Sequence, residues 1–157
     1  MKQERPIKRN PALISFSKDH HFALLFIWKI KEGLKRNIET ERIGRYVRNF
    51  FETDLQQHFK LEEELMFQKL PADNKMRIRA ENEHKYLYRL IEQLQKQIDK
   101  DSLLNFAGTL EKHIRFEERE LFNFLQEELS ESELEEISRS HKMQHEPDDA
   151  WNDTFWK

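Results

Sequence analysis

The sequence predicts an all-α protein: an antiparallel four-helix bundle of up-down-up-down topology, followed by a short C-terminal helix and a tail. Glycine is scarce, with 3 residues in 157, and so is proline, with 4. This composition favours long helices over sheets with many tight turns. Apolar residues recur at steps of three and four along four long stretches, as on the buried face of a helix. The connections between the stretches are short, and short connections make neighbouring helices antiparallel.

Start and stop signals delimit the first two helices. Pro11 lies at the start of the first helix, and Gly33 and Asn37 mark its end. Thr40 is an N-cap candidate for the second helix, which closes before Pro71.

The later helices are delimited in the same way. Asp73 is a start signal for the third helix, and Asp101 or Ser102 for the fourth. Ser130 and Glu133 form a capping box for a short fifth helix. The apolar set of the first helix includes Leu24, Ile27, Ile30 and Leu34. The third helix carries Ile78, Leu87, Ile91, Leu94 and Ile98 on one side.

Composition and charge exclude several classes of function for this protein. The net charge is −3 with acidic and basic residues interspersed, so a nucleic-acid partner is not expected. The absence of cysteine excludes disulfides, thiolate zinc sites and cysteine nucleophiles. The longest apolar run, Phe22–Trp28, is too short to span a bilayer. We expect one cytoplasmic domain over residues 1–157, with the bundle at about 12–129 and the C-terminal helix and tail at about 130–157.

A ten-residue pattern occurs twice, on the second and fourth helices. HFKLEEELMF starts at His58, and HIRFEERELF starts at His113. Each copy places a glutamate four residues after the histidine, Glu62 or Glu117, so both side chains leave one helical face. Such a pair can bind one metal ion, or its carboxylate can bridge two. A single pair also occurs as a weak surface interaction of roughly 0.2–0.5 kcal/mol, so the repetition favours the metal-binding interpretation.

The first and third helices each add a histidine. His84 shares a stripe with Leu87, and His20 shares one with Ile27, which points both imidazoles at the core. His21 remains the alternative on the first helix. At a rise of 1.5 Å per residue, the four helices bring their candidate ligands to within about 6 Å of one level.

These side chains predict a metal site. Mixed imidazole and carboxylate ligands suit non-haem iron, with manganese or zinc as substitutes. Six ligands exceed the needs of one tetrahedral zinc ion, so two ions bridged by Glu62 and Glu117 fit better and leave positions open for water, oxide or a diatomic gas. The candidate metal ligands are His20, His58, Glu62, His84, His113 and Glu117.

Over about Ser15–Leu129, the chain resembles the hemerythrin-like family of HHE cation-binding domains. The resemblance rests on DHHFALL, HFKLEEE, EHKYLYRL and HIRFEE, taken in helix order. It implies a carboxylate-bridged di-iron centre held by the six candidate ligands.

The chain departs from oxygen-carrying hemerythrins at two positions. Those proteins have HxxxH on the third helix, where this chain has Tyr88 at the second position. Their acidic ligand falls five residues after the last histidine, at Glu118 here, whereas the repeated pattern favours Glu117. His21, Glu63 or solvent are candidates for the missing ligand. The pattern is closer to the bacterial branch, which implies oxygen or nitric-oxide sensing, iron handling or repair of iron sites.

The tail contains a second histidine pair and three large aromatic residues. His141 and His145 are four residues apart, and a second metal site is the alternative to a structural role. Trp151, Phe155 and Trp156 are predicted to dock on the bundle, because exposing them to water would be costly.

Three functions follow from these features. The first is metal-dependent binding or sensing of O2 or NO, or iron handling. The second is a di-iron oxidoreductase that turns over NO or peroxide or repairs iron sites. The third is a metal-free helical interaction module. No nucleophile triad or phosphate-binding loop supports a hydrolase or a nucleotide-binding protein. The electron donor and the oligomeric state stay open.

Overall fold

The computed structural model describes residues 8–141 and 151–157, and every regular element in these ranges is helical, as predicted. A 3₁₀ turn, Pro11–Leu13, leads into the first long helix. In the same ranges, no helix is both long and apolar enough to cross a membrane. The α-helices are α1 (Ile14–Lys35), α2 (Thr40–Phe50), α3 (Gln56–Leu61), α4 (Lys75–Lys96), α5 (Lys100–Phe116), α6 (Phe122–Glu128) and α7 (Glu131–Ser140).

Some of these helices join into longer segments through π-helical stretches. Phe51–Leu55 joins α2 to α3, Glu62–Met66 follows α3, and Glu117–Leu121 joins α5 to α6. Two of the three stretches begin at the glutamates of the repeated HxxxE pattern. Isolated π-helical turns are rare and often mark functional sites. The first to fourth helical segments are residues 14–35, 40–69, 75–96 and 100–128.

Side-chain caps fix where the later helices begin. Asn74 and Asp99 accept backbone N–H bonds and cap α4 and α5. These helices therefore do not start at the predicted Asp73 and Asp101. The capping box predicted at Ser130 is confirmed at the start of α7.

A layer of buried polar side chains divides the apolar core into two clusters. The large core cluster includes Phe26 and Phe50, which stack with ring centroids 4.2 Å apart. The small core cluster includes Phe67. His84 stacks on Phe59 of the large cluster and also contacts Phe67, at centroid distances of 4.2 and 5.4 Å. The polar layer therefore lies between two apolar regions that shield it from water.

One residue of the apolar side predicted for the third helix, Ile78, is not buried. Leu24 is 39% exposed and Ile78 is 42% exposed. The first helix has apolar residues on more than one side: Leu24 and Trp28 are exposed, whereas the stripe of His20 and Ile27 is buried, as predicted. Ile98 lies beyond the end of α4, although it packs against the large core cluster.

The prediction that the tail aromatics dock on the bundle is confirmed. Phe155 and Trp156 belong to the large core cluster, and Trp151 packs against it. The Lys29 ammonium lies 4.2 Å from the centroid of the Trp156 ring, a cation–π contact that adds to the hydrophobic attachment. His145 lies outside the described residues.

Gly33 gives a first testable prediction. It lies inside α1 rather than at its end, and a Cβ atom there would approach Phe155 Cε1 to 2.6 Å. We expect Gly33→Ala to lower the melting temperature, because overpacking of roughly 1–3 kcal/mol outweighs the gain in helix propensity of about 1 kcal/mol. Gly108→Ala is the matched control, since a Cβ there meets nothing within 4 Å; it should raise the melting temperature. Equal shifts in thermal unfolding for both variants would contradict this account of the Phe155 contact.

Candidate metal centre

All six side chains that the sequence singled out meet in the buried polar layer. The four histidines are at most 5% exposed, and both glutamates are fully buried. Their potential ligand atoms form two overlapping groups, and within each group these atoms lie within 4.8 Å of one another. One group is His20, His58, Glu62 and Glu117; the other is Glu62, His84, His113 and Glu117.

The histidines form two pairs. The Nε2 atoms of His20 and His58 are 3.2 Å apart, and those of His84 and His113 are 3.1 Å apart. Two nitrogens that each bind one ion at about 2.1 Å, at roughly a right angle, would be about 3.0 Å apart. Each pair therefore has the spacing of two imidazoles on a common ion.

Each buried glutamate faces both histidine pairs. Glu62 places Oε2 at 3.3 Å from His58 Nε2 and Oε1 at 3.2 Å from His84 Nε2. Glu117 places Oε1 at 2.9 Å from His20 Nε2 and Oε2 at 3.4 Å from His113 Nε2. The two oxygens of one carboxylate are thus directed at different halves of the site, as a bridging ligand requires.

Three buried carboxylate oxygens have no hydrogen-bond partner among the described residues: both oxygens of Glu62 and Oε2 of Glu117. Leaving a buried polar atom without a partner costs about 1–3 kcal/mol, and more when the group is charged. A cation between the histidine pairs would satisfy these oxygens, and imidazole with carboxylate is a donor set that suits iron, manganese or zinc. The residues present therefore fit a metal centre.

A family model for the hemerythrin HHE cation binding domain matches residues 16–125 of the chain. The chain belongs to this family. A search of curated proteins and a search of solved structures gave no match. The helix α7 and the tail residues 151–157 lie outside the range that this family model matches.

An outer set of carboxylates surrounds the hemerythrin-like cluster, and each binds the Nδ1 atom of one histidine. An ionised carboxylate only accepts hydrogen bonds, so each Nδ1 carries the proton and donates it. This tautomer leaves Nε2 facing the centre, and such partners also make the imidazole a stronger ligand. The pairs are His20 with Glu118 (2.7 Å), His58 with Asp19 (2.9 Å), His84 with Glu63 (2.7 Å) and His113 with Glu83 (2.7 Å).

Each outer carboxylate lies next to a candidate ligand in the sequence, but it accepts a hydrogen bond from the histidine of another segment. Asp19 precedes His20 yet binds His58, and Glu83 precedes His84 yet binds His113. Glu63 of the second segment binds His84 of the third segment, and Glu118 of the fourth segment binds His20 of the first segment. The sequence analysis missed these roles. The signal it could have used is an acidic residue adjacent to a ligand on every segment.

Charge interactions shift the pKa values of the cluster strongly. Burial lowers the pKa of His113, but the Glu117 carboxylate and the hydrogen bond to Glu83 outweigh it and raise this pKa to about 10. Burial also raises the pKa of Glu117, yet the charge of His113 and the bond to His20 hold it well below its ordinary value. Without a metal ion, the proton on His113 therefore compensates the charge of the buried Glu117 carboxylate.

These pKa values predict that a metal ion competes with protons. At pH 7, His113 of the metal-free protein carries a proton that the ion must displace, so apparent metal affinity should rise with pH and proton release should accompany binding. Because the folded-state pKa of about 10 exceeds the ordinary histidine value of 6.5, this proton stabilises the metal-free fold fully below pH 6.5, and its contribution is lost as pH rises toward 10. Fe(II) addition in weak buffer at pH 7, followed with a pH electrode, tests the prediction. Metal uptake without proton release contradicts it.

The remaining candidates lie outside the inner cluster. His21 is exposed, whereas His20 is buried. Glu63 binds His84 Nδ1 and so belongs to the outer set. Tyr88 is half-buried and contacts the ring edges of Phe51 and Phe59, and it belongs to neither group of potential ligands.

A small cavity lies beside the histidines. Its volume is about 40 Å³, and its walls are mostly apolar. The half-buried residues of its lining, Asp19, Phe22 and Asp54, lie on the side nearest solvent. The full lining is Asp19, His20, Phe22, Ala23, Phe50, Asp54, Leu55, His58, Phe59, Leu110, His113 and Ile114.

Proposed function

We propose that this hemerythrin-like domain holds a non-haem di-iron centre bridged by Glu62 and Glu117. The orientation of Glu62 carries the proposal: both of its oxygens are buried, neither has a hydrogen-bond partner among the described residues, and each faces a different histidine pair. The proposed ligands are His20, His58, Glu62, His84, His113 and Glu117. Each ion would receive two imidazole nitrogens and one oxygen from each carboxylate.

Iron is the metal that this donor set supports best. Imidazole and carboxylate together suit non-haem iron, whereas the absence of thiolate removes the ligand type that dominates many structural zinc sites. Manganese and zinc are the substitutes that the same ligands would accept. Four protein atoms per ion leave room in a six-coordinate shell.

Binding of a small diatomic ligand, O2 or NO, is the activity that we propose for the open positions. The cavity of about 40 Å³ touches His20, His58 and His113. A site needs at least about 10–15 Å³ to admit one water molecule, so this cavity admits a diatomic molecule and excludes an organic substrate. When bound, iron supplies reversible coordination of such a ligand and one-electron redox chemistry.

The protein's own contribution is to orient and shield the centre. The outer carboxylates keep a proton on each Nδ1 atom and fix the direction of each ring. The two apolar clusters exclude bulk water, which strengthens the electrostatic attraction between the buried carboxylates and a cation.

The up-down-up-down topology belongs to this proposal as well. Contacts between neighbouring segments support it, because residues of rising number in one segment meet residues of falling number in the next. The first and fourth segments meet at His20–Glu117 and Phe26–Phe106, and the first and second at His20–His58 and Phe26–Phe50. The second and third meet at Phe51–Tyr88 and Phe59–His84, and the third and fourth at Arg79–Phe116 and His84–His113. A single domain and a cytoplasmic location stay predictions of the sequence.

Metal analysis of the purified protein tests the proposal. After anaerobic loading with Fe(II) and removal of excess metal, we expect about two iron atoms per chain. Exposure to O2 or NO should then change the near-ultraviolet absorption. Failure to retain iron would contradict the proposal and favour a metal-free interaction module. Sustained consumption of NO or peroxide by the loaded protein would indicate an oxidoreductase instead.

A further inference from the structure

The residue that follows the C-terminal helix is connected to a candidate metal ligand through two hydrogen bonds. His141, the first residue after α7, places Nε2 at 2.8 Å from Asp19 Oδ2. The same oxygen lies 2.9 Å from His58 Nδ1. His141 therefore reaches a candidate ligand through a single carboxylate oxygen, across a sequence separation of 122 residues from Asp19.

We propose that His141 is a positioning residue for the His20–His58 half of the site. It holds Asp19, and Asp19 in turn orients the His58 imidazole toward the metal. This inference rests on the proposed function, since it needs a metal at the centre. The inference gives a role to His141, which is not one of the six proposed ligands.

Both imidazoles must donate to Asp19. An ionised Asp19 has acceptors only, so His58 is fixed with its proton on Nδ1 and its Nε2 atom toward the centre. A second donor on Oδ2 restricts the rotation of the Asp19 side chain.

The position of His141 is itself fixed by packing. Its ring lies 4.5 Å from the Phe16 ring, measured between centroids, and its side chain is about 10% exposed. Leu134 and Ile137 anchor α7 in the small core cluster. Packing of α7 and of the His141 ring therefore places His141 Nε2 next to Asp19.

This support acts on one half of the site only. In the other half, Glu83 binds His113 and is itself held by Arg79 from the preceding turn of α4. That arrangement involves no residue of α7. Removing the His141 donor should therefore weaken one metal position and leave the other unchanged.

The test is an anaerobic Fe(II) titration of the full chain with a competing chelator. His141→Phe keeps an aromatic ring against Phe16 but removes the N–H donor. Loss of an outer partner typically costs 10–100-fold in metal affinity, so we expect about tenfold weaker binding of one of two equivalents. His141→Gln restores an N–H donor at a similar distance from the main chain and should recover most of the affinity. His21→Phe, at an exposed histidine of α1, is the control for loss of a histidine and should titrate like the parent protein.

A double-mutant comparison shows whether His141 acts through Asp19. In an Asp19→Ala background, His141→Phe should cause no further loss of Fe(II) affinity, because the carboxylate that links His141 to His58 is already absent. Equal weakening of both equivalents, or no rescue by His141→Gln, would assign His141 only to packing of α7 and overturn the inference. Unchanged affinity in His141→Phe would also overturn it, while two-equivalent binding by the parent protein would leave the proposed function standing. If the parent protein bound no Fe(II), both proposals would be wrong.

Discussion

Glu62→Gln is expected to abolish tight iron binding at both positions of the site, because one carboxylate contributes an oxygen to each half. Its Oε2 faces His58 and its Oε1 faces His84, at 3.3 and 3.2 Å. The amide keeps the shape of the side chain but loses the negative charge, and its NH2 group would point a donor at one of the ions. The loss should exceed the 10–100-fold effect of removing an outer partner. Iron content per chain after Fe(II) loading and desalting measures it.

A single histidine variant is the comparison for the expected loss of both ions in Glu62→Gln. His58→Ala removes a ligand from one half only, so we expect about one iron atom per chain to remain at moderate affinity. Glu64→Gln is the matched control for Glu62→Gln, because Glu64 is an exposed glutamate of the same run, and it should keep two iron atoms. Retention of two iron atoms by Glu62→Gln would show that Glu62 does not bridge. Loss of only one would indicate separate sites.

The inner cluster could be predicted from the sequence because its geometry is local. The HxxxE spacing places His58 with Glu62, and His113 with Glu117, on one helical face whatever the rest of the chain does. The stripe shared by His20 and Ile27 also indicated the inner side of the first helix correctly. Helical periodicity therefore identified residues that the structure brings into one layer.

The outer partners could not be predicted in the same way, because their contacts depend on how the segments pack. Asp19 is adjacent to His20, yet it binds His58 from another segment. His141 meets Asp19 only after α7 has folded back onto the bundle. Neither contact has a local spacing that a periodic pattern could reveal.

Local irregularities also escaped the sequence analysis. The π-helical stretches that begin at Glu62 and Glu117 have no recognisable sequence signal, although they lie at the proposed bridging ligands. Ile78 was placed on the apolar side of the third helix, but it is not buried.

Removal of the metal is expected to cause the second large effect, a marked loss of thermal stability. A ligand that binds only the native state stabilises it by about 4 kcal/mol when its free concentration is a thousandfold above the dissociation constant. For a chain of this size, 1 kcal/mol shifts the melting temperature by roughly 2–4 °C, so each ion at that excess should contribute roughly 8–16 °C. Calorimetry of iron-loaded and metal-free protein at pH 7 measures the difference.

The same measurement on Glu62→Gln separates stabilisation by the metal from stabilisation by the fold itself. In the metal-free protein, the protonated His113 compensates the buried Glu117 carboxylate. We therefore expect the metal-free bundle to stay folded, with both apolar clusters packed, and to unfold in one cooperative transition. If the stabilisation comes from the bridged centre, adding Fe(II) should raise the melting temperature of the parent protein and of Glu64→Gln but leave that of Glu62→Gln unchanged. An equal rise in all three proteins would place the bound iron elsewhere on the chain. The buried layer would then be a purely structural network of histidines and glutamates.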